Sequence, residues 1–140
     1  VITHCMENMK YTLDQRVERA RQLRAQGYNC AQCLLLSFDD IIEGDSRLLA
    51  DISHGFGSGL GASGEICGAV TGSAMVLGLV HKDLPRPELY RHVREAVTAF
   101  DNLEGYTDCR DLKKEGGKPC IDLITDAVAL LHNRLSAQDA

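Results

Sequence analysis

The chain is 140 residues long, 44% hydrophobic and 25% charged, with a formal charge of −5 and a pI near 5.5. This length suits one domain whose core hides roughly 70% of the unfolded surface, and the composition excludes disorder outside the termini. An acidic surface repels phosphate backbones, and the longest apolar stretch, residues 69–80, is too short to cross a bilayer, so neither a nucleic-acid partner nor membrane insertion is expected.

The first ten residues, VITHCMENMK, have no basic flank leading into an apolar run. They read as a disordered or tag-like start rather than a secretory signal, and the expected address is the cytoplasm. Beyond them apolar residues recur at helical spacing, with alternation only in MVLGLVH at 75–81. The fold class that follows is all-α, one domain over 1–140, built as a bundle of about five to seven helices. Leu13, Val17 and Ala20 mark a first helix that Gly27 ends. Asn29 caps a second, CAQCLLLSFDDII, which Gly44 closes. Asp45 or Ser46 then caps RLLADISHGF.

The stretch GFGSGLGASGEICGAVTG holds seven of the thirteen glycines and reads as a loop leading into a helix of very small side chains over residues 65–81. LPRPELYRHVREAVTAFDNLEG opens with prolines suited to a first helical turn and stops at Gly105. Its apolar stripe is Leu89, Val93, Val97, Phe100 and Leu103. TDCRDLKKEGG reads as a short helix. After Pro119, Cys120, Ile124, Ala127, Val128, Leu131 and Leu135 share the core face of the last one.

Six cysteines are many for a reducing compartment, where thiols more often bind metal or do redox chemistry than form permanent staples. Cys30, Cys67, Cys109 and Cys120 each fall in the first turn of an expected helix. Free N–H groups and partial positive charge there favour thiolate, the form that attacks electrophiles and ligates metals. Arg110, Lys113, Lys114 and Lys118 outnumber Asp111 and Glu115 around Cys109 and Cys120 and push the same way, while Glu65 beside Cys67 opposes. Gly64, Gly68 and Gly72 recur every fourth residue, which places them on one helical face that a cofactor or another backbone can approach closely. That backbone belongs either to the same chain or to a second subunit of a homodimer.

Other motifs fail for lack of context. Cys30-Ala31-Gln32-Cys33 is a CxxC without the βαβ pattern of a thioredoxin, Leu34 rather than His follows it, and no second CxxC completes a zinc ribbon. Cys33 is expected to be a small buried hydrophobe and Cys5 a terminal bystander. Gly59-Leu60-Gly61-Ala62-Ser63-Gly64 matches GxGxxG, with Asp83 downstream, but no strand precedes it and a dinucleotide site is not expected. His54 beside the glycine loop is a candidate metal ligand. The surface is nevertheless the expected place for His4, His54, His81, His92 and His132 alike.

Asn29-Cys30-Ala31-Gln32, GFGSGLGASGEICGAVTGSAMVLGL, Cys109-Arg110-Asp111-Leu112 and Cys120 together resemble the C-GCAxxG-C-C family, whose members are named for their cysteines and associated with redox activity. The likeness covers nearly the whole chain. It implies that Cys30, Cys67, Cys109 and Cys120 are the family cysteines. A related domain is similar to the non-haem part of split-Soret cytochromes, which implies an iron–sulfur cluster, but no haem attachment site is present here.

Three functional classes remain open at this stage. In the first, the four cysteines converge and either ligate an iron–sulfur cluster or exchange thiol and disulfide states with a redox partner. In the second they form a structural zinc site or a binding module without turnover. In the third, Cys67 alone is an enzyme's nucleophile.

Overall fold

Capping residues set where the helices begin. The structure, a computed structural model, describes residues 8–138, so His4 and Cys5 lie outside the described residues. α1 (Leu13–Ala25) starts on Thr12, whose hydroxyl accepts from the Gln15 N–H while the Gln15 side chain accepts from the Thr12 N–H. α2 (Cys30–Leu36) repeats the device with Asn29 and Gln32. A capping side chain of this kind contributes about 1 kcal/mol. α3 (Ser46–Ser53) begins on Asp45 and runs into a 3₁₀ turn, His54–Phe56. α4 (Gly68–Val80) follows the glycine loop. α5 (Arg86–Glu104) has a proline in its first turn and ends on Gly105 at φ +86°. α6 (Cys109–Leu112) and α7 (Cys120–Gln138) complete an all-α bundle with no strand among the described residues.

α2 and α4 form the innermost pair. α1 and α7 pack on α2 and on each other, α5 covers α4 and α7, and α3 covers α2. Six of the seven residues of α2 are buried, and its leucines, 34 to 36, each contribute roughly 1.5–3 kcal/mol by leaving water. From α7 come Ile124, Ala127, Val128, Leu131 and Leu135, as its spacing predicts, together with Leu123, while Cys120 is half-buried. Gly72 makes the central crossing close. A Cβ there would lie 2.7 Å from the Leu34 Cβ and 2.8 Å from the Ala31 carbonyl.

Two expectations, the end of α2 and the exposure of the histidines, need correction. α2 stops at Leu36 rather than running to Ile42, because the Ser37 carbonyl that would continue the ladder accepts instead from the Arg16 guanidinium at 2.7 Å. The first six residues of MVLGLVH close α4, within the helix expected over residues 65–81. The apolar stripe of α5 faces the core as expected, with Phe100 buried and Leu89, Val93 and Val97 half-buried against it, while Leu103 at its end is 50% exposed. His81, His92 and His132 are buried, not on the surface. Polar partners permit this: the His81 and His92 rings stack at 4.3 Å, His92 Nδ1 lies 3.1 Å from Arg134, and His132 Nδ1 accepts from Arg16 Nε at 2.8 Å.

No described helix is long and apolar enough to cross a membrane.

Candidate functional site

Cys30, Cys109 and Cys120 are the first residues of α2, α6 and α7, and Cys67 is the N-cap of α4. α4 begins three residues later than its sequence suggests because Glu65 and Ile66 run extended against the start of α6. The Cys67 N–H donates to the Thr107 carbonyl at 2.8 Å, the Cys109 N–H to the Glu65 carbonyl at 2.7 Å, and Ile66 bridges Asp108. Two helix starts far apart in the chain are thereby tied together.

The glycine loop enters this junction in an unusual backbone state. Five consecutive residues, 58–62, have φ of +51°, +75°, +67°, +59° and +62°, and Ser58, Leu60 and Ala62 among them are not glycine. A left-handed conformation costs an L-residue about 1–2 kcal/mol, which closure hydrogen bonds offset here. The Ala62 N–H donates to Gly57, Gly64 to Ser58 and Glu65 to Gly59, at 2.9–3.2 Å. The turn directs the Ser58 N–H at the sulfur of Cys30. No side chain fits at Gly59, where a Cβ would sit 2.7 Å from the Cβ of Cys109.

Gly64 lies in the loop at φ +73° beneath Arg110, so it does not share a helical face with Gly68 and Gly72. The room cut out beside Cys67 is taken by α2. A Cβ on Gly68 would come within 2.5 Å of the Cys30 sulfur, and Gly72 receives Ala31 and Leu34.

All four helix-start cysteines line one cavity of about 40 Å³. Cys67, Cys109, Leu112 and Leu123 form its buried side, Cys30 and Cys120 are half-buried, and Arg24, Ser58 and Lys113 are the exposed lining residues. No carboxylate lines it. The Cys67 thiol hydrogen-bonds to the Cys30 sulfur, which also accepts from the backbone N–H groups of Ser58, Ala31 and Gly68. These donors outweigh burial and lower Cys30 to about 5. Cys67 receives one backbone N–H, from Ala69, and is pushed up by its hydrogen bond to Cys30 and then by burial. The pair therefore holds one proton on Cys67 and one negative charge on Cys30.

The other two thiols differ. Burial raises Cys109, with Lys113 opposing, while Lys113 is itself raised by a hydrogen bond to Cys120. Thus helix-start position alone does not lower a thiol. At Cys67 and Cys109 burial prevails.

Of the cations expected to act on the thiols, Lys113 alone reaches a sulfur among those near Cys109 and Cys120. Arg110 pairs with Glu65, Lys114 with Asp111, and Lys118 with Glu104 and Asp126. Arg24 was not foreseen from the sequence. It lies on the last turn of α1, where its Nη1 donates to the Tyr28 carbonyl at 3.2 Å, and helical periodicity marks it only as an exposed residue. Ser58 was likewise hidden, its contribution being a backbone N–H. Cys33 is fully buried and pushed up to about 12 by desolvation. His54 is exposed and lines a different groove. The GxGxxG match is a loop between a 3₁₀ turn and a helix with no strand before it.

Four cysteines around one cavity are a suitable donor chemistry for zinc or an iron–sulfur cluster. Their placement is not. Among the described residues no three or more His, Cys, Asp or Glu side chains are gathered so as to hold a metal ion. The residues as placed do not fit such a group, and no step is routed through one. A larger apolar cavity of about 70 Å³ lies between α4, α5 and α7, but Arg134 is its one charged lining residue and it contains no thiol.

Residues 28–134 match the family described as "Putative redox-active protein (C_GCAxxG_C_C)", a stretch that contains all four cysteines of the cavity. The chain belongs to that family. No curated protein and no solved structure gives a significant match.

Proposed function

We propose that the protein is a dithiol–disulfide redox protein in which Cys30 is the attacking thiolate and Cys67 the resolving thiol. The observation that carries this reading is that Cys30 and Cys67 line one cavity with two further cysteines, the Cys30 sulfur lying against Gly68, the residue next to Cys67. Two thiols in one cavity are placed for the sulfur–sulfur approach that a bridge requires. Half-buried Cys30 can meet an oxidant, and buried Cys67 is shielded until Cys30 has reacted. Two electrons leave the pair when Cys30 attacks the oxidant and Cys67, giving up its proton, displaces what Cys30 has taken up. Cys109 and Cys120 line the same cavity and are placed to pass the disulfide outward by exchange.

The test is equilibration in graded reduced and oxidised glutathione, followed by alkylation of free thiols and peptide mapping. The first bridge to form is expected between Cys30 and Cys67. Free Cys30 and Cys67 throughout, or anaerobically purified protein with stoichiometric iron or zinc on these cysteines, would overturn the reading.

A further inference from the structure

Resting on that reading, the charges around the cavity indicate which oxidant it exchanges with. We infer that Arg24 and Lys113 determine specificity by selecting an anionic oxidant, a small disulfide that carries carboxylates beside its sulfurs, over neutral and cationic ones. Both residues are exposed and line the same cavity as Cys30, Cys67, Cys109 and Cys120. They come from unconnected parts of the chain, the last turn of α1 and the residue that ends α6.

Pairing sets these two cations apart from their neighbours. Arg110, Lys114 and Lys118 are each neutralised by a carboxylate, on Glu65, on Asp111 and on Glu104 with Asp126. No carboxylate lines the cavity, and among the described residues no salt bridge includes Arg24 or Lys113. Donation from Arg24 Nη1 to the Tyr28 carbonyl at 3.2 Å steadies the guanidinium and leaves the rest of its fork for a carboxylate. A thiolate ordinarily repels an anionic disulfide, because like charges must meet. Two cations in the wall reverse that sign at short range, although the chain as a whole carries −5. A neutral disulfide gains little from them, and a cationic one is turned away.

The Cys30 thiolate attacks one sulfur of the small disulfide, forming a mixed disulfide and breaking the oxidant's own S–S bond. The other half leaves as a thiolate and takes a proton from solvent. Cys67 then gives up its proton and attacks the Cys30 sulfur. The second half of the oxidant departs with that proton, and the Cys30–Cys67 disulfide remains. Two electrons have passed from the protein thiols to the oxidant, which becomes two thiols.

The experiment uses the reduced full chain at low ionic strength and three disulfides of similar size and graded charge: anionic dithiodiglycolate, neutral 2-hydroxyethyl disulfide and cationic cystamine. The rate of Cys30–Cys67 bridge formation, scored by alkylation and peptide mapping, is divided in each case by the rate of the same disulfide with 2-mercaptoethanol. This normalised rate is expected to fall from anion to neutral to cation, with at least about tenfold between the ends, the gain that a cleft lined by one sign of charge gives. Half-molar salt should compress the series on the native chain, since exposed charges are then screened. In the double variant Arg24→Gln, Lys113→Gln, checked for native helicity by circular dichroism, the anion should lose its lead. The charge-keeping pair Arg24→Lys, Lys113→Arg should restore it. Equal normalised rates on the native chain, a neutral or cationic lead, or an anion lead that survives the double glutamine variant would overturn the inference and leave the dithiol reading standing. If none of the three forms the bridge but glutathione does, the charge assignment falls alone. If glutathione fails too, both fall.

Discussion

Two places in this molecule bury charge, and they do so to opposite ends. Arg16 on α1 is fully buried, with Nε on His132, Nη1 on the Ser37 carbonyl and Asp40, Nη2 on Asp40, and the Phe38 ring 4.4 Å away. Burial would raise the Asp40 carboxyl, but Arg16 and the N–H groups of Lys10 and Tyr11 hold it below its ordinary value. Little donor capacity is left over and nothing can approach. The Cys30 sulfur is also surrounded by donors, but one side faces a cavity with exposed cations in its wall. A buried charge with every direction filled is structural; the same charge with one direction open can react.

The largest effect that separates them is on chemistry. Cys30→Ser is expected to abolish formation of the disulfide with Cys67, scored by peptide mapping after oxidation, while the urea midpoint moves by no more than about 1 kcal/mol equivalent. Arg16→Met should do the reverse. It leaves the Asp40 carboxylate buried without its partner, which costs about 3–5 kcal/mol in urea unfolding followed by circular dichroism. The rate of Cys30 oxidation should be unaltered under conditions where the variant is still folded. A double variant, Arg16→Met with Asp40→Leu, should recover much of the lost stability, since no buried charge then remains.

These two sites also differ in how far the sequence discloses them. Cys30, Cys67, Cys109 and Cys120 are legible because helix-start signals such as Asn29, Asp108 and Pro119 stand beside them, and caps are local. The helices of the bundle are legible for the same reason, since their apolar spacing and stop residues lie within a few positions. Arg16 is not legible. On a helix rich in Arg and Glu nothing local distinguishes it from Arg19 or Arg21, and its partners lie 21 to 116 residues away. The pairing of Cys67 with Cys30 is equally remote, as it depends on Gly68 meeting the start of α2 and on the bridge between Ile66 and Asp108. The burial of the histidines is not legible either, because the His81–His92 stack and the Arg16–His132 hydrogen bond join residues distant in the chain. Local chemistry placed the thiols at helix starts, whereas long-range packing decided which of them is ionised.

Gly68→Ala sharpens the comparison with a smaller perturbation. Its Cβ would come within 2.5 Å of the Cys30 sulfur and 2.9 Å of the Ala31 N, so α2 must shift. Overpacking of this kind costs about 1–3 kcal/mol. The chemical readout is the pH profile of Cys30 alkylation by iodoacetamide. In the native chain the rate should rise through a midpoint at about 5, because the thiolate is already formed above it. Displacing the sulfur from the Gly68 and Ser58 N–H groups should move that midpoint upward, so alkylation slows at pH 6 and recovers in alkali. An unchanged profile would mean that the backbone donors do not set the ionisation of Cys30.

The smallest effect tests where the reactive end stores strain. Leu60 is 51% exposed at φ +67°, in the middle of five left-handed residues, so its side chain contributes little packing to set against the conformational cost. Leu60→Gly should stabilise the fold by up to about 1 kcal/mol, as glycine adopts this conformation freely and part of the gain is lost to a more flexible unfolded chain. Because the Ser58 N–H must still reach the Cys30 sulfur, the alkylation midpoint should stay where it is. A variant that gained stability but lost the low midpoint would show that Leu60 holds the turn in the shape that presents Ser58. The strain would then be part of how the thiolate is maintained, with no counterpart around Arg16, where none of the contacting residues has positive φ.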